Sequence, residues 1–361
     1  MPNIRYALRK LQTDIFLSGI SERFRSGKNI PPPSYVLWDC TRRCNLRCAH
    51  CGASKETYPQ ELSTAQILPA VDELAAMRTG MFAVTGGEPL LRADLLDVLA
   101  HARSKGLKTG IASNGFFLDE KTADRIRDAG VHSVQISLDG PEPVHNRIRG
   151  NPESFGRAVR AIELILRRRI PVVSAATTVT SENLDQLDAL HGILRRTGIG
   201  MWRLAVVMPI GRARTADTAL DGGRLVSLFG FVQRHDRKGM RIYLGENLTH
   251  LGAWEQTLRG GPVVCPVGFL ALCIGVDGHV RGCPEMPDTP SNREGSILEQ
   301  PLSEIWRRGF GRYRRREILA ADPDCSGCGW KHDCYGGCWV MRDAGRHCIR
   351  RAMEDASPSP A

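Results

Sequence analysis

The stretch Tyr35-Val36-Leu37-Trp38-Asp39-Cys40-Thr41-Arg42-Arg43-Cys44-Asn45-Leu46-Arg47-Cys48-Ala49-His50-Cys51 is a short β-prone run that passes directly into a cysteine loop. Within it Cys44, Cys48 and Cys51 keep the spacing CxxxCxxC. Three thiolates on one tight loop can bind three irons of a cubane cluster and leave the fourth iron without a protein ligand, which makes it a chemical site. A zinc site would ask for four ligands, usually from paired CxxC units. Zinc or unpaired structural thiols are therefore the plainer alternatives for this loop. Cys40 is evenly spaced with Cys44 and Cys48, but it reads as a buried thiol at the end of the strand.

Outward from the loop, Pro31-Pro32-Pro33 closes a basic, helix-like lead-in over 1–33, because proline lacks the amide hydrogen and restricts the residue before it. Short β-prone runs then alternate with longer amphipathic segments. The pattern predicts strands at 35–38, 81–85, 109–113, 133–138, 172–179 and 202–207, with helices at 64–78, 94–105, 120–129, 155–168 and 184–196. Ser63 with Gln66, Asp119 and Asn183 read as N-caps, and Gly106, Gly130 and Gly198 as helix stops. Such βα repeats make an α/β fold with parallel strands, either doubly wound or an incomplete barrel, and periodicity does not separate the two. Both put functional loops after strand C-termini.

Residues 212–262 read as a bridging region, with a helix at 224–234 and a strand at 241–244. From 263 to 350 the chain turns to hairpins, Gly, Pro and Cys, with too little apolar periodicity for a core of its own, so metal is expected to supply stability. A tail follows at 351–361. The 361 residues hold twelve cysteines: four between Cys40 and Cys51, eight between Cys265 and Cys348. The opening residues lack an apolar signal segment, so a soluble, cytoplasmic protein with no membrane span is expected, and many thiols in a reducing compartment point to metal. The formal charge of +10 comes mostly from scattered Arg, and aromatics are 6%, with no nucleic-acid motif beside them; nucleic acid is not an expected partner.

The loop from Thr41 to Cys51 resembles that of the radical S-adenosylmethionine superfamily nearly residue for residue. The resemblance continues in Thr85-Gly86-Gly87-Glu88-Pro89, similar to the segment that contacts the methionine amino group. There glycines would let backbone approach the ligand and Glu88 would neutralise an ammonium. Ser113-Asn114-Gly115 resembles the segment near the ribose, and Ser137-Leu138-Asp139-Gly140 another cofactor-facing segment. For the methionine carboxylate the resemblance suggests Arg149 or Arg160, with Arg160 preferred. It implies a partial (β/α)6 TIM-like barrel over 34–211, a four-iron cluster and S-adenosylmethionine as cofactors, and reductive cleavage to a 5′-deoxyadenosyl radical that abstracts a hydrogen atom.

Cys265, followed by twelve residues, Gly278, four residues and Cys283, together with Cys325-x2-Cys328-x5-Cys334-x3-Cys338 and Cys348, resembles a SPASM auxiliary-cluster domain. The resemblance assigns Cys325, Cys328, Cys334 and Cys348 to one cluster and Cys265, Cys283 and Cys338 to another. Cys273 is either a further ligand or a core thiol. The small cysteine-rich domain would thus hold one or two auxiliary clusters. Enzymes of this architecture commonly modify peptides or proteins, so a peptide or protein substrate is expected, with an electron donor such as flavodoxin or ferredoxin. The alternatives are a small-molecule or tetrapyrrole (heme-type cofactor) enzyme and, from a different class, a zinc-stapled binding module without catalysis. No residue is singled out as catalytic acid or base.

Overall fold

The computed structural model describes residues 4–52, 60–214, 218–236, 239–315, 322–344, 348 and 353. The expected tail at 351–361 lies outside the described residues except for Met353. A long helix, α1 (Ile4–Arg25), precedes six strands: β1 (Tyr35–Asp39), β2 (Met81–Thr85), β3 (Lys108–Ser113), β4 (Ser133–Ser137), β5 (Val172–Val179) and β6 (Met201–Val206). Between them run α2 (Thr64–Ala76), α3 (Leu95–Ser104), α4 (Glu120–Asp128), α5 (Glu142–Arg149), α6 (Ser154–Arg167) and α7 (Leu187–Thr197). After β6 come α8 (Gly222–His235) and β7 (Arg241–Leu244).

Strand order decides between the two architectures left open by periodicity. Each strand from β1 to β7 pairs in parallel with the next, without the reversal that defines a doubly wound sheet. The chain therefore builds a TIM-like partial barrel. On the other side of β1 lies β8 (Ala271–Ile274), also parallel, with β9 (His279–Arg281) and β10 (Gly295–Ser296) antiparallel beyond it. The cysteine-rich segment thus contributes β8 to the barrel sheet.

Alternation along the strands sorts the side chains. Phe82, Val84, Ile111, Val134, Ile136, Trp202 and Leu204 pack outward into the core shared with the helices. Helix α6, for example, buries Ala158, Ala161, Ile162 and Ile165, one face of a 3.6-residue period. Gln66 Oε1 accepts the Ser63 amide at 2.8 Å, and Asp119 Oδ1 accepts the Thr122 amide at 2.8 Å, as expected of N-caps. Asn183 is a correction: it caps nothing. Its Nδ2 donates to Asp139 O at 2.8 Å and Thr178 O at 2.9 Å, tying the ends of β4 and β5. Helix α5 also went unread in the sequence, because Pro141 and Pro143 at its start look like a turn; Gly150, at φ 68°, ends it.

The lead-in helix is not detached. Leu17 and Ile20 of α1 pack on Phe269 and Tyr335, Tyr335 Oη donates to Asp14 at 2.6 Å, and Ser21 Oγ donates to Arg314 O at 2.7 Å. The C-terminal region also has an aromatic core, Trp306, Phe310, Tyr313 and Trp339, with the Arg314 guanidinium 4.5 Å from the Trp306 ring. Short helices bring these rings together from irregular spacings, which is why periodicity missed them. No helix among the described residues is long and apolar enough to cross a membrane.

Candidate metal and cofactor site

The cysteine loop leaves β1 at the C-terminal rim of the barrel, where the loops after β2, β3, β4 and β6 meet it. Its backbone is gripped from several sides. Gly87 N donates to Thr41 O at 2.7 Å, Glu88 N to Arg43 O at 2.8 Å, Ala49 N to Ile148 O at 2.9 Å and Arg212 N to Cys51 O at 3.0 Å. Arg212 Nε adds a bond to Cys48 O at 2.8 Å. Gly86 and Gly87 are required by this grip. A Cβ on Gly87 would stand 2.7 Å from the Arg43 carbonyl carbon and 2.9 Å from Arg42 O, and one on Gly86, at φ 150°, would press on Thr41. The glycines expected to admit a ligand thus admit the loop itself.

Glu88 is also engaged from within the protein. It is fully buried, and its two oxygens accept from Leu90 N at 3.0 Å, Ser113 Oγ at 2.8 Å and Asn114 N at 2.8 Å. Burial raises its pKa against those hydrogen bonds. The carboxylate is spent on joining the ends of β2 and β3, with Pro89 buried at the start of the following turn of 3₁₀ helix. Asn114 is brought to the metal loop: its Nδ2 donates to Asn45 Oδ1 at 2.9 Å and lies 4.0 Å from Cys44 Sγ. Ser137, at the end of β4, alternates with the outward Ile136 and so faces the barrel interior.

Asp139 organises the far side of the loop. It is fully buried; Arg149 Nε donates to its Oδ2 at 2.6 Å, His50 Nε2 lies 3.0 Å from the same oxygen, and Thr178 N donates to Oδ1 at 3.0 Å. Burial alone would raise its pKa, but Arg149 and His50 hold it well below the usual carboxylate range. Arg149 Nη1 reaches to 3.6 Å from Cys48 Sγ. Asp139 N donates to His145 Nδ1 at 3.0 Å, and burial with the neighbouring Arg149 pushes that imidazole down to about 3, so it stays neutral. Arg160, preferred from the resemblance, is not at the site. It lies on the outer face of α6, 60% exposed, 3.5 Å from Glu120. An arginine on the first turns of a helix that follows the strand could have faced either way, and only the packing of α6 decides. His50 and His145 were missed altogether; the place of His50 between two loop cysteines was the available signal.

Three thiols on one loop, held rigidly by backbone and flanked by an amide and a guanidinium that can donate to sulfur, suit an iron-sulfur cluster with an open metal corner. In the C-terminal region the thiols fall into two neighbourhoods. Beyond the effect of burial, Cys265, Cys338 and, more weakly, Cys273 raise the Cys283 thiol, while Cys348 and Cys325 raise Cys334. Among the described residues no three such side chains stand about a common point at liganding geometry, so the grouping is one of neighbourhood. Cys273 and Cys40 are both fully buried, and Cys40 packs in the large hydrophobic core.

Residues 38–192 match the family model described as the radical SAM superfamily. The chain thus carries a radical SAM domain over those residues. It is an S-adenosylmethionine-dependent iron-sulfur enzyme, which sets aside the zinc-stapled binding module. It is 28% identical over 330 residues to the AdoMet-dependent heme synthase of Oleidesulfovibrio alaskensis, across 85% of this chain and 83% of the relative. It is 29% identical over 326 residues to the mycofactocin maturase MftC of Mycobacterium tuberculosis, across 89% and 81%. In fold it is similar to Streptococcus suis SuiB bound to its precursor peptide SuiA, with TM-score 0.74 at 13% identity over 92% of this chain and 78% of that one. It is also similar to anSMEcpe with bound AdoMet, with TM-score 0.68 at 21% identity over 87% and 91%.

Proposed function

We propose that this radical SAM enzyme modifies a peptide or protein by abstracting a hydrogen atom from a residue inserted into the barrel. The observation that carries this reading is the lining. A closed TIM barrel is filled by layers of Val, Ile and Leu. Here the alternate positions on β2 to β6, opposite the outward core residues, include Ala83, Gly110, Ala112, Ser133, Ser137, Ser174, Ala176 and Ala205, with the longer Met81, Gln135, Met201 and Arg203 among them. Small and polar side chains thus take most of the places that such apolar layers would fill. The maturase and peptide-bound relatives support the same reading.

In it, Cys44, Cys48 and Cys51 hold the catalytic cluster, with Asn114 and Arg149 beside the sulfurs. Together the cluster and S-adenosylmethionine supply the electron and the 5′-deoxyadenosyl radical. The protein's part is to fix the loop, through the glycine segment and Asp139, and to exclude water. Cys325, Cys328, Cys334 and Cys348 hold one auxiliary cluster; Cys265, Cys283 and Cys338, with Cys273 adjacent, hold the other. Electrons come from a small donor such as flavodoxin or ferredoxin. Three folded parts then share the work: helix α1 as a brace, the barrel and its bridging strand, and the cysteine-rich segment.

A second reading, action on a tetrapyrrole, is favoured by the heme synthase relatives and by Arg203. This guanidinium stands at an inward position of β6, 2.8 Å from Glu246, and suits an acidic substrate. Anaerobic incubation of reduced enzyme with S-adenosylmethionine and either precursor peptides encoded near this protein or iron coproporphyrin III separates the two by mass spectrometry. A mass change in a peptide, with stoichiometric 5′-deoxyadenosine, is the expected result. Change in the tetrapyrrole alone would replace the first reading by the second.

A further inference from the structure

Two guanidinium groups buried around Asp39 carry donors that meet no acceptor. Arg281 is 1% exposed; its Nη2 donates to Asp39 Oδ2 at 2.6 Å, while Nε and Nη1 have no partner. Arg42 Nη2 lies 2.6 Å from the same Asp39 oxygen, and its Nε is unpartnered as well. A buried donor left unmatched costs about 1–3 kcal/mol. A position carrying two of them calls for an acceptor.

The backbone says where that acceptor lies. In the β8–β9 hairpin Arg281 stands directly opposite Cys273, so the two side chains share one face of the sheet. Cys283 follows two residues after Arg281. Glu285, a buried carboxyl, faces the same cations. Cys273 opposite and Cys283 two residues on thus put sulfur beside the Arg281 position of the hairpin.

We propose that Arg281 donates N–H···S hydrogen bonds to the auxiliary cluster held by Cys265, Cys283 and Cys338, and that this raises the cluster's reduction potential. The proposal rests on the ligand assignment given above. A cationic donor at a cluster sulfur stabilises the more negative, reduced state. Asp39 carries the arrangement further, because the carboxylate that holds Arg281 also holds Arg42 on the catalytic loop, two residues before Cys44. The auxiliary site and the catalytic loop are therefore joined by one Arg281–Asp39–Arg42 chain.

The test uses the full chain with Cys44, Cys48 and Cys51 replaced by Ala, so that only auxiliary clusters report. Iron and sulfide are counted, and the midpoint is followed by electron paramagnetic resonance during a redox titration. In this background R281Q is expected to keep its iron and to shift one midpoint negative by about tenfold in the reduction equilibrium, 59 mV for one electron. R281K keeps the charge and the ion pair but not the fork of donors, and is expected to shift the same way by less. Wild-type midpoints in an iron-replete R281Q overturn the proposal. Should R281Q shed iron, R281K decides, and a wild-type midpoint there overturns it. C283A tests the underlying assignment separately: unchanged iron and sulfide in that variant would reject the ligand set whatever Arg281 does.

Discussion

Gly87→Ala is the sharpest perturbation the structure offers, because it adds one methyl group at the contact that positions the cysteine loop. The new Cβ would lie 2.7 Å from the Arg43 carbonyl carbon, where ordinary contacts begin at 3.4 Å. The obstacle is backbone, with the Arg43 carbonyl oxygen closer still, so no side chain can swing away, and the loop must retreat by at least about 0.7 Å from the glycine segment. That movement breaks or stretches the Gly87–Thr41 and Glu88–Arg43 hydrogen bonds, costing about 2 kcal/mol at a typical value near 1 each. A displacement approaching 1 Å in a catalytic constellation costs on the order of 10²-fold in rate. The assay is 5′-deoxyadenosine formation by dithionite-reduced, reconstituted enzyme, read beside iron content and thermal midpoint. Expected are a roughly 10²-fold slower cleavage, a midpoint lower by several degrees, and auxiliary iron retained. Wild-type cleavage and midpoint in G87A would refute the claim that these glycines exist to let the loop in.

Asp139→Asn leaves the Arg149 guanidinium buried without its counter-charge, and such losses cost about 3–5 kcal/mol; chemical denaturation of the iron-free protein should show this, and a loss below 1 kcal/mol would contradict the pairing. Arg160→Ala should change S-adenosylmethionine affinity and stability by nothing measurable, since its ion pair is exposed; a marked loss of affinity by calorimetry would return it to the site. His145 gives a pH signature. Its folded pKa lies near 3 and its unfolded value near 6.5, so only the unfolded chain takes up the proton as pH falls between them. Stability should therefore be full above pH about 6.5 and fall by about 1.4 kcal/mol per unit below it. His145→Gln, whose side-chain oxygen can still accept the Asp139 amide, should flatten that slope between pH 6 and 4; an unchanged slope would show that another group titrates.

By itself the sequence determined what depends on local spacing. The alternation of period-2 and period-3.6 segments set six strands and five of the six helices between them. CxxxCxxC set the number of thiols on one loop, and the cysteine spacings beyond 265 set the candidate ligands there. Loops after strand C-termini were legible as the functional rim because parallel connection leaves them no other place. What only tertiary structure decided are relations between segments far apart in the chain. Strand order made the sheet a partial barrel, since hydrogen bonding between strands leaves no mark in the periodicity of either one. Packing assigned Glu88 to Ser113 and Asn114, Asn183 to a carbonyl near β4, and Arg149 rather than Arg160 to the loop. A polar side chain's partner is chosen by what the fold brings within 3 Å, and burial makes that choice binding, because an unmatched donor or acceptor away from water costs as much as the protein can spare.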